Sequence, residues 1–336
     1  MKITKFSKSY GNILAIKKNF YNENDKNLKN AIKINSRYKK QPLRKNCKNC
    51  GLKISKKLFY QFKIDYTVCG RCGHLNGIHE DTKKFVRWLY SHSEGKNYKK
   101  NYTNNFKDRV SKIYLPKVDF LKKVIKSNIN ILDIGSGGGH FLKALEIRKI
   151  NGFGYEPNFS LVKLGQKKMK KNKLINLDLK KTYKKVLENN KSNVLSLIGV
   201  LEHLDKPNYI INLFNKSKIK YLYISVPLFS LSTFLENSFD NVFPRQLSGS
   251  HTHLYTKKSL NFFAKKNNLK VIGEWWFGTD FADLYRSLIN SSKTYDINKY
   301  KSALDKNLFS VIDDLQNILD KNKICSEVHM VFKKKN

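Results

Sequence analysis

Asn130-Ile131-Leu132-Asp133-Ile134-Gly135-Ser136-Gly137-Gly138-Gly139-His140-Phe141-Leu142 is the stretch that decides the fold. The apolar run from Ile129 to Ile134 has the length of a strand. It breaks into a glycine cluster, after which Phe141, Leu142 and Leu145 fall at helical spacing. A strand that turns through glycines into a helix suits a nucleotide-like ligand. Glycines permit positive φ and a close approach to the main chain, and a helix start offers free amide hydrogens. Glycine loops are common, so the neighbouring segments decide what this one holds.

Roughly 20 residues past the first glycine, a dinucleotide-type fold presents an acidic residue to a ribose diol. Gly152-Phe153-Gly154-Tyr155 reads as a second strand, and Glu156 ends it. A nicotinamide fingerprint, Gly-x-Gly-x-x-Gly, would need a glycine where His140 stands. The spacing is instead Asp-x-Gly-x-Gly-x-Gly, beginning at Asp133.

That first motif resembles the one in class I S-adenosylmethionine (SAM)-dependent methyltransferases. Val200-Leu201-Glu202-His203-Leu204-Asp205-Lys206-Pro207 resembles the segment after their fourth strand, and His253-Leu254-Tyr255-Thr256-Lys257-Lys258-Ser259-Leu260 the one after their fifth. The likeness covers residues 129 to 336. It implies a doubly wound, Rossmann-like α/β sheet of seven strands with SAM as cofactor. Asp133, Gly135, Gly137 and Gly139 then surround the amino-acid tail of SAM, and Glu156 takes the ribose hydroxyls. Asp178, ending the third strand, either accepts from the adenine amino group or is a solvated loop residue. Tyr98 and Tyr102, at i and i+4 before the first strand, either cover the methionine moiety or pack in a core.

The order strand, helix, strand, helix places further strands at Leu174–Leu177, Val194–Ile198 and Tyr221–Val226. Two last strands, Val271–Trp276 and Glu327–Phe332, pair antiparallel at the far edge, around a helical insertion at 279–322. Groups after the fourth and fifth strands face the crevice where the acceptor binds. His203 is the expected general base, Glu202 orients it or the acceptor, and His253 is next in line, with His251 nearby. The Leu-Glu-His-Leu stretch also admits a structural role. The aromatic segment 228–255 reads as a substrate wall, and Asp280, Asp283 and Arg286 share a helical face aimed at the pocket.

Upstream, Cys47-Lys48-Asn49-Cys50 and Cys69-Gly70-Arg71-Cys72 form two Cys-x2-Cys pairs separated by 18 residues. Four soft ligands at this spacing suit a tetrahedral zinc ion with no open position, so the site reads as structural. His74 and His79 read as bystanders, and Cys325 as a small buried hydrophobe. The chain thus divides into a basic arm at 1–44 without firm periodicity, a zinc ribbon at 45–80, a helical lid or linker at 81–128, and the methyltransferase domain from 129 onward.

The 336 residues carry 66 Lys+Arg against 26 Asp+Glu, a net charge of +40. Only eight of those bases are arginine, which weakens the case for nucleic acid, where arginine's planar fork usually reads the target. No secretory signal or membrane span is evident. The expected compartment is the cytoplasm, with the cysteines reduced. A four-cysteine unit ahead of a class I domain resembles the deoxysugar C-methyltransferases of nucleotide-sugar pathways, although their full extra C-terminal domain is lacking here. A small-molecule acceptor, a nucleotide-sugar or surface-glycan precursor, is therefore expected. The alternative is RNA gripped by the zinc ribbon.

Overall fold

The computed structural model describes residues 1–9, 23–54, 56–89, 105–189, 191–247 and 250–335. Its strands, in chain order, are β1 (Ile3–Phe6), β2 (Phe59–Gln61), β3 (Ile64–Val68), β4 (Leu75–Gly77), β5 (Asn130–Ile134) and β6 (Asn151–Glu156). They continue as β7 (Lys173–Asn176), β8 (Val194–Ile198), β9 (Tyr221–Pro227), β10 (His253–Leu254), β11 (Leu269–Phe277) and β12 (Glu327–Lys334).

The large sheet has the order β1-β11-β12-β9-β8-β5-β6-β7. Strands β9, β8, β5, β6 and β7 are parallel, and β12 inserts antiparallel between β9 and β11. Apolar cores cover both faces, which is why β5 and β8 are near-continuous apolar runs. The strand order reverses beside β5, and the carboxyl ends of β5, β6 and β8 meet at that point. Ligands of open α/β sheets bind there.

The expected seven strands form, and an eighth joins them. Residues 3–6, assigned to a loose arm, pair parallel with β11 and become the edge of the sheet. The rest of the arm is also ordered in part. The helix Asn24–Tyr38 buries Ile34 and Tyr38 against Ile64, Tyr66 and Leu75 of the cysteine-bearing unit. Its sparse apolar positions gave no clear period because only one narrow stripe is covered.

The cysteine-bearing unit docks directly on the large domain. Strands β2, β3 and β4 form a second sheet whose fourth member is β10, from the segment after β9. The insertion is helical as expected, with helices at Asp280–Ser291, Ile297–Asn307 and Ile312–Asn322. The face shared by Asp280, Asp283 and Arg286, however, locks the 228–255 segment in place. Asp280 accepts from Ser230 and Ser232, and Asp283 pairs with Arg245 and Arg286, all buried or nearly so. None of the described helices is long and apolar enough to cross a membrane.

Candidate active site

The donor end is built by the turn from β5 into the helix His140–Ile147. Gly135 has φ +71°, and a Cβ there would lie 2.7 Å from Val200 Cγ2, so no side chain fits without displacement. Asp133 is buried behind the turn and accepts from Ser196 Oγ at 2.6 Å. Burial pushes its carboxyl up to about 6, against that hydrogen bond. Gly137 and Gly139 both take positive φ. Glu156, at the end of β6, accepts from the Gly137 amide through Oε2 and the Asn158 amide through Oε1, each at 2.9 Å. Burial raises its pKa, and the two amides oppose the rise. Each carboxylate oxygen retains acceptor capacity, so the group could take the two hydroxyls of a ribose.

His140 lies under Phe106 and Tyr114, with ring centroids 4.2 and 5.4 Å away, so the helical run before β5 covers the turn. Tyr98 and Tyr102, read either as part of such a cover or as core residues, lie outside the described residues. Asp178 stands two residues beyond β7, where its side chain accepts from the Lys181 amide at 3.0 Å. It is a helix N-cap with an exposed carboxylate, a third use beyond the two expected.

The acceptor end follows β8. Glu202 is 4% exposed, and burial pushes its carboxyl up to about 8. His203 Nδ1 lies 3.1 Å from the Ser250 carbonyl, and its ring sits beside that of His251, centroids 4.8 Å apart. Burial lowers the two imidazoles to about 4 and about 3, so both are neutral at pH 7. Glu202 and His203 stand here with His251, which the sequence also placed nearby.

The structure moves His253 away. That residue is fully buried in β10, where its Nδ1 lies 2.8 Å from His74 Nε2. It joins β10 to the start of β4 within the smaller sheet. His74, read as a bystander, is its partner in that joint.

Three contributors went unmarked in the sequence. Lys117, 7% exposed, sends its charge toward Asp133 and Glu202. Glu327 starts the antiparallel β12 and so reaches the same edge, where it contacts His329 at 3.2 Å. Glu236 accepts from the amides of Arg245, Gln246 and Leu247, and so fixes the backbone that carries Ser250 and His251. A one-residue signal exists only for Lys117, a lysine on an otherwise apolar helix stripe.

The four cysteines converge as their spacing predicts. Their sulfurs lie within 4.8 Å of one another, with Cys47–Cys72 at 3.7 Å and Cys50–Cys69 at 3.4 Å. The Leu52 amide and Asn76 Nδ2 each point at a sulfur from 3.5 Å. This donor set fits a zinc ion without an open position.

No curated protein matches the chain in sequence. Similar solved structures include a SAM-dependent methyltransferase from Archaeoglobus fulgidus, 18% identical, covering 72% of this chain and 100% of that one at a TM-score of 0.45. The magnesium protoporphyrin IX methyltransferase of Synechocystis PCC 6803 is 11% identical over 75% of this chain and 100% of its own, TM-score 0.47. These likenesses are distant and say nothing of what this chain acts on. Residues 106–274, just over half of the chain, match the family model described as a methyltransferase domain, and the chain belongs to this family of class I SAM-dependent methyltransferases.

Proposed function

We propose that the protein transfers the methyl group of SAM to a small-molecule acceptor, a nucleotide-sugar or surface-glycan precursor. The observation that carries the donor assignment is the contact between Glu156 and the Gly137 amide. It sets a diol-binding carboxylate against the glycine turn that would wrap the amino-acid tail. Asp133 supports the turn from behind through Ser196.

At the other end, the acceptor meets Glu202 and His203 inside the wall formed by residues 228–255. His203 is neutral there, with Nδ1 on the Ser250 carbonyl, and its imidazole loosens an acceptor proton through Nε2. The acceptor atom attacks the methyl carbon in line, the carbon–sulfur bond breaks, and its electron pair stays on sulfur. Glu202 orients the acceptor. The four cysteines hold a structural zinc ion in a ribbon at 45–80. A buried acceptor end and a base surplus made of lysine favour a small molecule over RNA.

The test is mass spectrometry of cell extracts incubated with the purified protein and labelled SAM. Label in a soluble sugar-bearing compound is expected. Label in RNA would replace the acceptor class, and no heat with SAM or its demethylated product in calorimetry would remove the donor assignment. His203→Ala should lower turnover about a hundredfold while SAM binding persists.

A further inference from the structure

Glu202, His203 and His251 place a carboxylate oxygen and two imidazole nitrogens within 4.8 Å of one another. His203 Nδ1 lies 3.1 Å from the Ser250 carbonyl, and His251 Nδ1 lies 3.0 Å from the Gln246 carbonyl. A carbonyl only accepts, so each Nδ1 carries the hydrogen and each Nε2 the lone pair. Metal-ligating histidines take this form, with a backbone carbonyl fixing the ring. Glu202 is buried, and among the described residues its Oε2 has no hydrogen-bond partner. A buried carboxyl oxygen without a donor is costly in the ionised form, and either a proton or a bound cation relieves that cost.

We infer that Glu202, His203 and His251 bind one divalent cation of the zinc, cobalt or manganese type, whose open positions take an oxygen of the acceptor. Two imidazoles with one carboxylate disfavour calcium and magnesium. Ligands about 2 Å from such an ion lie at most about 4 Å apart, so the site closes slightly on loading. Three protein ligands leave room for a fourth, unlike the four-cysteine cluster.

The role in catalysis rests on the methyl-transfer proposal; the binding does not. An acceptor hydroxyl on the ion is acidified, and its proton passes to solvent. The oxygen then attacks the sulfonium methyl. A carbon–oxygen bond forms, the carbon–sulfur bond breaks, and sulfur keeps the pair as a neutral thioether. In the loaded enzyme His203 is a ligand, and the ion supplies the activation that neutral imidazole would otherwise provide.

The experiment uses the full chain with its cysteine cluster first filled with zinc, then titrated with Co²⁺. One further equivalent per chain is expected, with the weak visible bands of nitrogen and oxygen ligands. Glu202→Gln and His251→Ala should lose that equivalent while keeping their heat of SAM binding. Removing the second ion with a mild chelator should lower turnover at least about tenfold, and Co²⁺ should restore it. A wild-type chain that takes no further equivalent overturns the site, whatever the variants do. So does an equivalent retained in both variants. Turnover indifferent to stripping overturns the catalytic role and returns activation to His203. Absence of SAM heat would strike the methyl-transfer proposal alone, since the cobalt spectrum is read without it.

Discussion

Lys48, lodged between the first two cysteines of the metal-spaced set, donates from Nζ to the Leu204 carbonyl at 2.7 Å, one residue past His203. Its ammonium also pairs with Asp81 Oδ2, which Arg44 shares at 3.0 Å. Asn208 donates to the Lys48 carbonyl at 2.9 Å, and Asn49 to that of Ser259 at 2.9 Å. The cysteine-bearing unit is thereby fastened to the segment after β8 that carries Glu202 and His203.

Emptying the cysteine cluster should therefore damage catalysis more than donor binding. A strong chelator under reducing conditions is expected to lower the melting temperature and abolish turnover. The SAM Kd should change less than about tenfold, since Glu156 and the glycine turn are held by β5 and β6. Calorimetry and melting curves on one sample decide. Full turnover in ion-free protein would show that the fastening carries no function.

Glu156→Gln tests the donor end. With Glu156 in its proposed role at the two hydroxyls, replacing the charged acceptor costs about 1.5–3 kcal/mol, or roughly 10–100-fold in SAM Kd. Burial has raised the carboxyl's pKa, so the ionised form is lost at a higher pH than for a free glutamate. SAM affinity of the wild type should accordingly weaken on the acid side, while that of the variant stays flat. Calorimetry across pH reads both. Parallel curves for the two proteins would take Glu156 out of the ribose contact.

Where each residue's role depends on near neighbours in sequence, the sequence was readable. Strand, turn and helix at 130–147 share one local signal, and Glu156 ends the adjacent strand. The cysteine spacing likewise encodes its own geometry. The failures come from pairing across long separations. His253 looks like the start of a motif after β9, but its partner Asn76 in β4 draws it into the second sheet. Ile3–Phe6 becomes a strand only because β11 offers an open edge. Asp280 and Asp283 share a polar helical face, and nothing local reveals that Ser232 and Arg245 cover it. His251 gains its place from the Gln246 carbonyl and from Glu236, whose three amide bonds no periodicity reports.

Glu146 ties the first helix after the turn to the approach of β7. It accepts from the amides of Lys170, Lys171 and Asn172 at 2.9, 2.7 and 3.2 Å, and from Lys143 Nζ at 2.6 Å. Burial works against ionisation, but Lys143 and the amides hold the carboxyl down to about 2. A depressed folded pKa stabilises above the unfolded value and loses that contribution as pH falls toward 2. Solvent screens part of the effect, so Glu146→Gln should cost about 1–2 kcal/mol near pH 7. The gap between variant and wild type should shrink below about pH 4. Urea unfolding at several pH values measures it. A gap that stays constant would mean that charge contributes nothing there.

Gly135→Ala separates two costs at the centre of the site. A left-handed residue with a Cβ is strained by about 1–2 kcal/mol wherever it lies. Here the Cβ also meets Val200 Cγ2 at 2.7 Å, and Val200 leads into the segment that carries Glu202 and His203. The single variant should be destabilised by more than the conformational cost and should turn over poorly. Adding Val200→Ala removes the clash and leaves the strain. The double variant should thus recover turnover relative to Gly135→Ala while remaining less stable than the Val200→Ala protein. Additive losses in the cycle would mean that the donor turn and the acceptor segment do not press on each other, and that the glycine serves backbone conformation alone.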